Sequence, residues 1–97
     1  MSETKDGVSL AEARLMKIRQ AEFLNAIADE RARQDAKWGQ NFVPLDRMVT
    51  ILGEEFGEAC RALLEQDWVN LDEELVQVAA VCSKFFELAT VSERRRK

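Results

Sequence analysis

The 97-residue chain contains no histidine and no tyrosine, and it has only one proline, four glycines and two cysteines. Without histidine, a Ser-His or Cys-His nucleophile is excluded. Two scattered cysteines do not form a zinc-binding motif, so a tetrahedral zinc site is not predicted. Any metal bound by this chain should therefore be a hard cation with oxygen ligands, such as Mg²⁺, Mn²⁺ or Ca²⁺.

The chain also lacks a basic surplus and a long hydrophobic run. Its formal net charge is -4, which argues against binding to nucleic acid through a basic face. The terminal RRRK cluster, 94–97, is interpreted as a solvated tail. Cys60 and Cys82 lie in helical patterns and are interpreted as small core residues. Together these features predict a cytoplasmic protein with no membrane partner.

Glycine and proline are so sparse, and period-two alternation so absent, that the sequence predicts an all-α chain. We expect a disordered leader over residues 1–8, one domain over 9–92 and a basic tail over 93–97. A single core of this size leaves a high ratio of surface to volume, so a partner subunit is expected.

The first helix is bounded by recognisable signals at both ends. Ser9 followed by Glu12 three residues later predicts a capping box. The helical pattern then runs to about Lys37 and stops at Gly39. Its first half, to about residue 20, is weakly amphipathic and is interpreted as a separate or mobile piece.

Two further helices are expected to form an antiparallel hairpin. Pro44 suits the first turn of a helix over about 45–66. Asn70 with Glu73 predicts the cap of a third helix that ends near Val91. The short connection between them makes these two helices antiparallel neighbours.

The acidic run EEFGE, 54–58, lies on the second helix. At about 100° per residue, Glu54, Glu55 and Glu58 lie together beside the apolar face. That face is predicted to contain Met48, Leu52, Phe56, Ala59 and Leu63. One interpretation is a solvated acidic face in which Arg61 pairs with Glu58, and the other is half of a metal site.

The third helix favours the metal interpretation, because Glu74 interrupts its apolar stripe. The stripe consists of Leu71, Val78, Val81, Cys82, Phe85 and Leu88. A buried carboxylate is costly unless it is paired or metal-bound, and no basic residue lies on this stripe. Antiparallel packing would bring Glu55 and Glu58 to Glu74 and Gln77. Three carboxylates and one amide oxygen suit Mg²⁺, with Mn²⁺ as an alternative, and such an ion serves phosphoryl chemistry.

The first helix supplies a candidate wall for a nucleobase. Its apolar face continues into Arg31, Gln34 and Trp38, and a tryptophan at the end of a polar face can stack on a base. Lys37 next to it and Lys84 on the third helix are candidate contacts to the substrate. For Trp38 a role as a core anchor, for Arg31 a surface salt bridge and for Lys84 an exposed lysine remain open alternatives.

These residues resemble the MazG-like, all-α nucleoside triphosphate pyrophosphohydrolases. That family has EExxE on one helix and ExxD on the next, and this chain has EEFGE, 54–58, and ELVQ, 74–77. The segments ERARQDAKWGQ, 30–40, and EELVQVAAV, 73–81, resemble motifs of a phage and bacterial branch of MazG-like proteins. The similarity covers about residues 27–90.

The resemblance implies Mg²⁺-dependent hydrolysis of a nucleoside or deoxynucleoside triphosphate to the monophosphate and pyrophosphate. It implies metal ligands at Glu55, Glu58 and Glu74, and Glu54 as the acid that orients or deprotonates the attacking water. Gln77 stands where the family pattern has aspartate, so we expect weaker metal binding than in an ExxD member. The resemblance also implies a dimer or tetramer in which helical hairpins pair into four-helix bundles.

Two alternative functions remain open at the level of sequence. The neutral Gln77 is compatible with a nucleotide-binding or regulatory module that has weak or no turnover. A helical dimerisation module is the other alternative, and it requires a basic partner for Glu74 from a second subunit.

Overall fold

The computed structural model describes residues 7–39 and 41–92. These residues form three α-helices and no β-strand, which confirms the all-α prediction for the described part of the chain. Residues 1–6 of the expected leader and the whole basic tail, 93–97, lie outside the described residues.

Helix α1 spans Leu10–Trp38, and both of its ends follow the predicted signals. The Ser9 hydroxyl accepts a hydrogen bond from the Glu12 N–H, and the Ser9 N–H donates to the Glu12 carboxylate, each at 3.0 Å. At the other end Gly39 takes a positive φ of 76° and donates its N–H to the Asp35 carbonyl. The helix is continuous through residue 20, so its first half is not a separate element.

Helix α2 spans Leu45–Leu64 and helix α3 spans Trp68–Val91. The turn between them is a Schellman motif in which Gln66 adopts a left-handed φ of 55°. Asp67 follows at once and caps α3 by accepting a hydrogen bond from the Asn70 N–H. The predicted cap at Asn70 is therefore wrong by three residues, because the tight turn delivers an earlier acceptor, Asp67, to the helix entrance.

Helices α2 and α3 pack as an antiparallel hairpin, and α1 packs on α3 rather than on α2. Met48 near the start of α2 lies in one apolar cluster with Val81 and with Leu88 near the end of α3. The buried hydrophobic residues of the described chain are Met48, Ala59, Ala62, Ala80, Val81 and Leu88. Three of these six are alanines, so the single chain has a thin core.

Several residues predicted to be buried are exposed. Cys60 and Cys82 are both exposed and free, and Phe56 and Leu63 retain 60% and 52% of their accessible surface. The helical period correctly groups side chains on one face, but it does not say whether a neighbouring element covers that face. The described residues contain three helices, so one chain alone is not a four-helix bundle.

None of the helices in the described part of the chain is both long enough and apolar enough to span a membrane.

Arg31 joins α1 to α3 from a largely buried position. Its guanidinium donates two hydrogen bonds to the Glu87 carboxylate, of which the Nη2–Oε1 bond measures 2.8 Å, and a third to the Ser83 hydroxyl. These hydrogen bonds lower the pKa of Glu87 below its ordinary value. Asp35, one turn on, lies 3.7 Å from the same guanidinium. Arg31 therefore ties two helices together where the sequence predicted a substrate contact or a surface salt bridge.

Replacing Arg31 with methionine should lower the free energy of unfolding by about 1–3 kcal/mol, because charge-assisted hydrogen bonds between α1 and α3 are lost. Chemical denaturation followed by circular dichroism measures this change. Arg47→Met on the exposed side of α2 is the control and should change stability by less than about 0.5 kcal/mol. Equal stability of the two variants would contradict a tying role for Arg31.

Candidate functional site

The hairpin brings three carboxylates from two helices to one point. One oxygen from each of Glu55, Glu58 and Glu74 lies within 4.8 Å of the others. Glu55 and Glu74 are half-buried and Glu58 is exposed, so the cluster sits at the edge of the α2–α3 interface and opens to solvent. Antiparallel packing explains the meeting, since the second half of α2 runs beside the first half of α3.

Glu74 is the least satisfied member of this cluster. Its Oε2 is buried and has no hydrogen-bond partner within residues 7–39 and 41–92. Burial, together with the neighbouring Glu58 and Glu55, raises the pKa of Glu74 to about 7. The pKa of Glu55 is raised as well, first by burial and then by the charge of Glu58. The cluster thus holds excess negative charge that a proton or a cation would relieve.

A hydrogen-bond network from α1 lies beside the cluster. The Gln34 amide donates to the Glu30 carboxylate at 2.7 Å and to the Gln77 carbonyl oxygen at 3.3 Å. Arg33 donates two hydrogen bonds to Glu30, and these lower the pKa of Glu30 to about 2, with further contributions from Gln77 and Gln34. The carbonyl oxygen of Gln77 therefore already accepts a hydrogen bond from α1.

A cavity of about 360 Å³ extends from the cluster toward the end of α1. Its volume is within the range of pockets that hold small ligands, about 300–1,000 Å³. Its lining combines apolar side chains from the hairpin with polar side chains from all three helices. The lining residues are Gln34, Asp35, Trp38, Gly39, Asn41, Val43, Met48, Ile51, Glu55, Gln77, Val81 and Lys84. Glu55 belongs both to this lining and to the carboxylate cluster, which makes the two continuous.

The predicted substrate contacts divide into two groups. Gln34, Trp38 and Lys84 line the cavity. The ammonium of Lys37 lies 4.8 Å from the centre of the Trp38 ring, where it makes a cation–π contact and covers one ring face. Arg31 is not part of the lining, and its hydrogen-bond donors are directed to α3.

Glu54 and Gln77, the other two predicted site residues, differ in position. Glu54 is exposed on α2 next to the cluster, and its charge contributes to the raised pKa of Glu55. Gln77 is half-buried, one turn after Glu74 on α3, and lines the cavity.

Two residues of this region were not singled out from the sequence. Glu30 anchors the network that reaches Gln77, and Asp35 lines the cavity. Glu30 lies four residues before Gln34, which is the spacing of neighbours on one helical face, so its contact was recoverable from the pattern. Asp35 lies one turn before Trp38, but only the position of α3 shows that its side of α1 faces a cavity.

Comparisons of the chain with protein-family models, with curated proteins and with solved structures found no match.

The raised pKa of Glu74 has a testable consequence for stability. A carboxyl group with a raised pKa in the folded state favours folding below its ordinary pKa of 4.5, and this contribution is lost as the pH rises through about 7. Without divalent metal, the thermal midpoint should therefore fall by several °C between about pH 5 and pH 8. In the Glu74→Gln variant the decrease should be smaller, because the amide does not titrate.

Differential scanning calorimetry in the presence of a chelator measures this difference. The matched control is Glu73→Gln, which alters an exposed carboxylate on the same helix and should reproduce the wild-type pH dependence. If Glu74→Gln loses as much stability with rising pH as the wild type, Glu74 is not the titrating group.

Proposed function

We propose that this chain hydrolyses nucleoside or deoxynucleoside triphosphates to the monophosphate and pyrophosphate in a Mg²⁺-dependent reaction. The observation that supports this most is the buried oxygen of Glu74, which has no hydrogen-bond partner in the described part of the chain. It lies in a cluster of three carboxylates that is continuous with a ligand-sized cavity. The resemblance of EEFGE and ELVQ to MazG-like pyrophosphohydrolases points to the same activity.

The donor set fits a hard divalent cation. Glu55, Glu58 and Glu74 offer carboxylate oxygens close enough to share one ion, and no cationic side chain forms an ion pair with them within the described residues. Mg²⁺ is the proposed cofactor, and Mn²⁺ can replace it in a site of this kind. When bound, the ion would neutralise phosphate charge and acidify a coordinated water.

The other side chains have roles that follow from their positions. The cavity beside Trp38 would hold the nucleoside, with its phosphates directed toward Glu55 and the cluster. Glu54, exposed beside the cluster, would accept a proton from water or orient it. Gln77 would remain tied to Gln34 and hold the edge of the cavity, and its neutral amide contributes no negative charge to the metal site.

Pyrophosphate release tests this proposal directly. The wild-type protein should release pyrophosphate from at least one nucleoside triphosphate in the presence of Mg²⁺, and Glu58→Ala should reduce the rate by about 100-fold or more. Glu73→Gln is the control, because it also removes one negative charge at a similar distance from the α2–α3 turn but leaves the three carboxylates of the cluster intact. Absence of release from all ribo- and deoxyribonucleoside triphosphates at micromolar protein would exclude the activity.

The engaged Gln77 carbonyl favours one alternative, a nucleotide-binding module with weak or no turnover. This alternative predicts saturable nucleotide binding without pyrophosphate release. In that case Gln77→Asp would add the missing fourth carboxylate and should raise the affinity for Mg²⁺. Efficient turnover by the wild type excludes the alternative.

We also propose that the chain self-associates through the exposed face of α2. Val49, Phe56 and Leu63 recur every seven residues on this face and are each more than half exposed. Gly53 lies between them, and a side chain added there would meet nothing within 4 Å. A second copy placed on this face would cover the apolar stripe, and the two hairpins together would form a four-helix bundle.

Phe56→Ser should shift the protein toward the 11.1 kDa monomer, since it places a polar group at the centre of this stripe. Light scattering coupled to size-exclusion chromatography measures the mass. The control is Val69→Ser at a still more exposed apolar position on α3, which should leave the mass of the wild-type assembly unchanged. A wild-type protein that is monomeric at high concentration would contradict this surface.

A further inference from the structure

The cavity follows α3 from the side of the carboxylate cluster, at Gln77, to Lys84. Lys84 follows Glu74 by ten residues on α3, which corresponds to about 15 Å along the helix axis. Asp35 and Trp38, from the last turn of α1, line the cavity together with Lys84. If the phosphates of a nucleotide lie at the cluster, its base therefore lies among Asp35, Trp38 and Lys84.

The Asp35 carboxylate forms an ion pair with Arg31 but accepts no side-chain hydrogen bond within the described residues. The Nη2 atom of Arg31 lies 3.7 Å from Oδ1 of Asp35, which is longer than a hydrogen bond. The guanidinium of Arg31 directs its hydrogen bonds to Glu87 and Ser83 instead. The Asp35 carboxylate is thus held on a rigid helix, partly buried, with capacity to accept hydrogen bonds from a ligand.

Lys84 supplies the complementary group. Its side chain is half-buried, and its ammonium can donate hydrogen bonds but cannot accept them. The cavity is therefore lined both by a residue with a carboxylate acceptor, on α1, and by a residue with an ammonium donor, on α3. Trp38 adds an aromatic side chain to the lining, and because the Lys37 ammonium lies over one face of its ring, a base would stack on the opposite face.

We propose that this end of the cavity selects guanine. The N1–H and the N2 amino group of guanine are adjacent donors that match the two oxygens of the Asp35 carboxylate. Its O6 atom is an acceptor that matches the Lys84 ammonium. This inference rests on the proposed function for the placement of the phosphates, and it specifies the base of the substrate.

The other bases match this arrangement less well. Adenine presents an unprotonated ring nitrogen, N1, where guanine has a donor, and this lone pair would face the Asp35 carboxylate. Cytosine likewise has an acceptor at N3 beside its amino group. Uracil and thymine have one ring N–H between two carbonyl oxygens, so they offer one donor instead of two.

Binding of nucleoside monophosphates tests the inference without requiring hydrolysis. Isothermal titration calorimetry of the full chain with GMP, IMP, AMP, CMP and UMP should give the highest affinity for GMP, by about tenfold or more over AMP. IMP lacks the N2 amino group but keeps N1–H and O6, so its affinity should fall between those of GMP and AMP. Equal affinities for the five nucleotides, or no binding at millimolar concentration, would overturn the inference.

Two variants separate the roles of the two charged residues. Asp35→Asn should reduce the affinity for GMP by about tenfold, since only guanine donates twice to the carboxylate, and it should raise the affinity for AMP, because the N1 lone pair of adenine no longer faces a carboxylate. Lys84→Gln should weaken GMP and IMP to the same degree, because both have O6. Asp29→Asn, an exposed position on α1 outside the cavity lining, is the matched control and should bind as the wild type does.

Thermal melts establish whether each variant is folded. If Asp35→Asn does not fold, the nucleotide affinities of Lys84→Gln test guanine selection. Unchanged GMP selectivity in both folded variants would overturn the inference. Pyrophosphate release from GTP, ATP, CTP and UTP distinguishes a failure of guanine selection from a failure of the proposed hydrolase activity. Hydrolysis of all four at equal kcat/KM would overturn guanine selection and support the hydrolase, whereas GMP-selective binding without release would support the base site and exclude the hydrolase.

Discussion

The mutual repulsion of Glu55, Glu58 and Glu74 is the constraint on which the rest of this molecule depends. The α2–α3 hairpin places the three carboxylates together, and the buried oxygen of Glu74 has no hydrogen-bond partner in the described structure. Burying like charges without compensation opposes folding. The raised pKa of Glu74 reflects this cost, because the ionised carboxylate is less stable in the folded state than in the unfolded state. A bound divalent cation would convert the same arrangement from a cost into a stabilising contact, so ligand binding and stability should be coupled.

Contacts of α1 hold this helix beside the cluster without relieving its charge. Arg31 ties α1 to α3 through Glu87, and Gln34 joins Glu30 of α1 to Gln77 of α3. The charge of Glu30, which Arg33 pairs, itself adds to the raised pKa of Glu55. These contacts hold α1 against the hairpin where the apolar core is thin. They also position the last turn of α1, so the helix that stabilises the fold is the helix that forms the wall of the cavity.

Only part of the apolar face of α2 is buried within one chain. Met48 and Ala59 are buried against α3, while Phe56 and Leu63, which the helical period groups with them, face solvent. Hydrophobic periodicity reports the sum of all surfaces that an element covers, including surfaces between subunits. Phe56 and Leu63 were predicted as core because helical periodicity groups them with Met48 and Ala59 but does not specify whether another element of the chain covers them.

Much of the architecture follows from local chemistry. The capping box at Ser9, the termination at Gly39 and the hairpin of two acidic helices are encoded by neighbouring residues, and the meeting of Glu55 with Glu74 follows once the hairpin closes. The position of α1 depends on contacts between residues about fifty positions apart, as between Arg31 and Glu87. Only the tertiary structure decided that Arg31 binds α3 and that Asp35 lines the cavity. Helical periodicity assigns side chains to a face of a helix but does not specify what lies opposite that face.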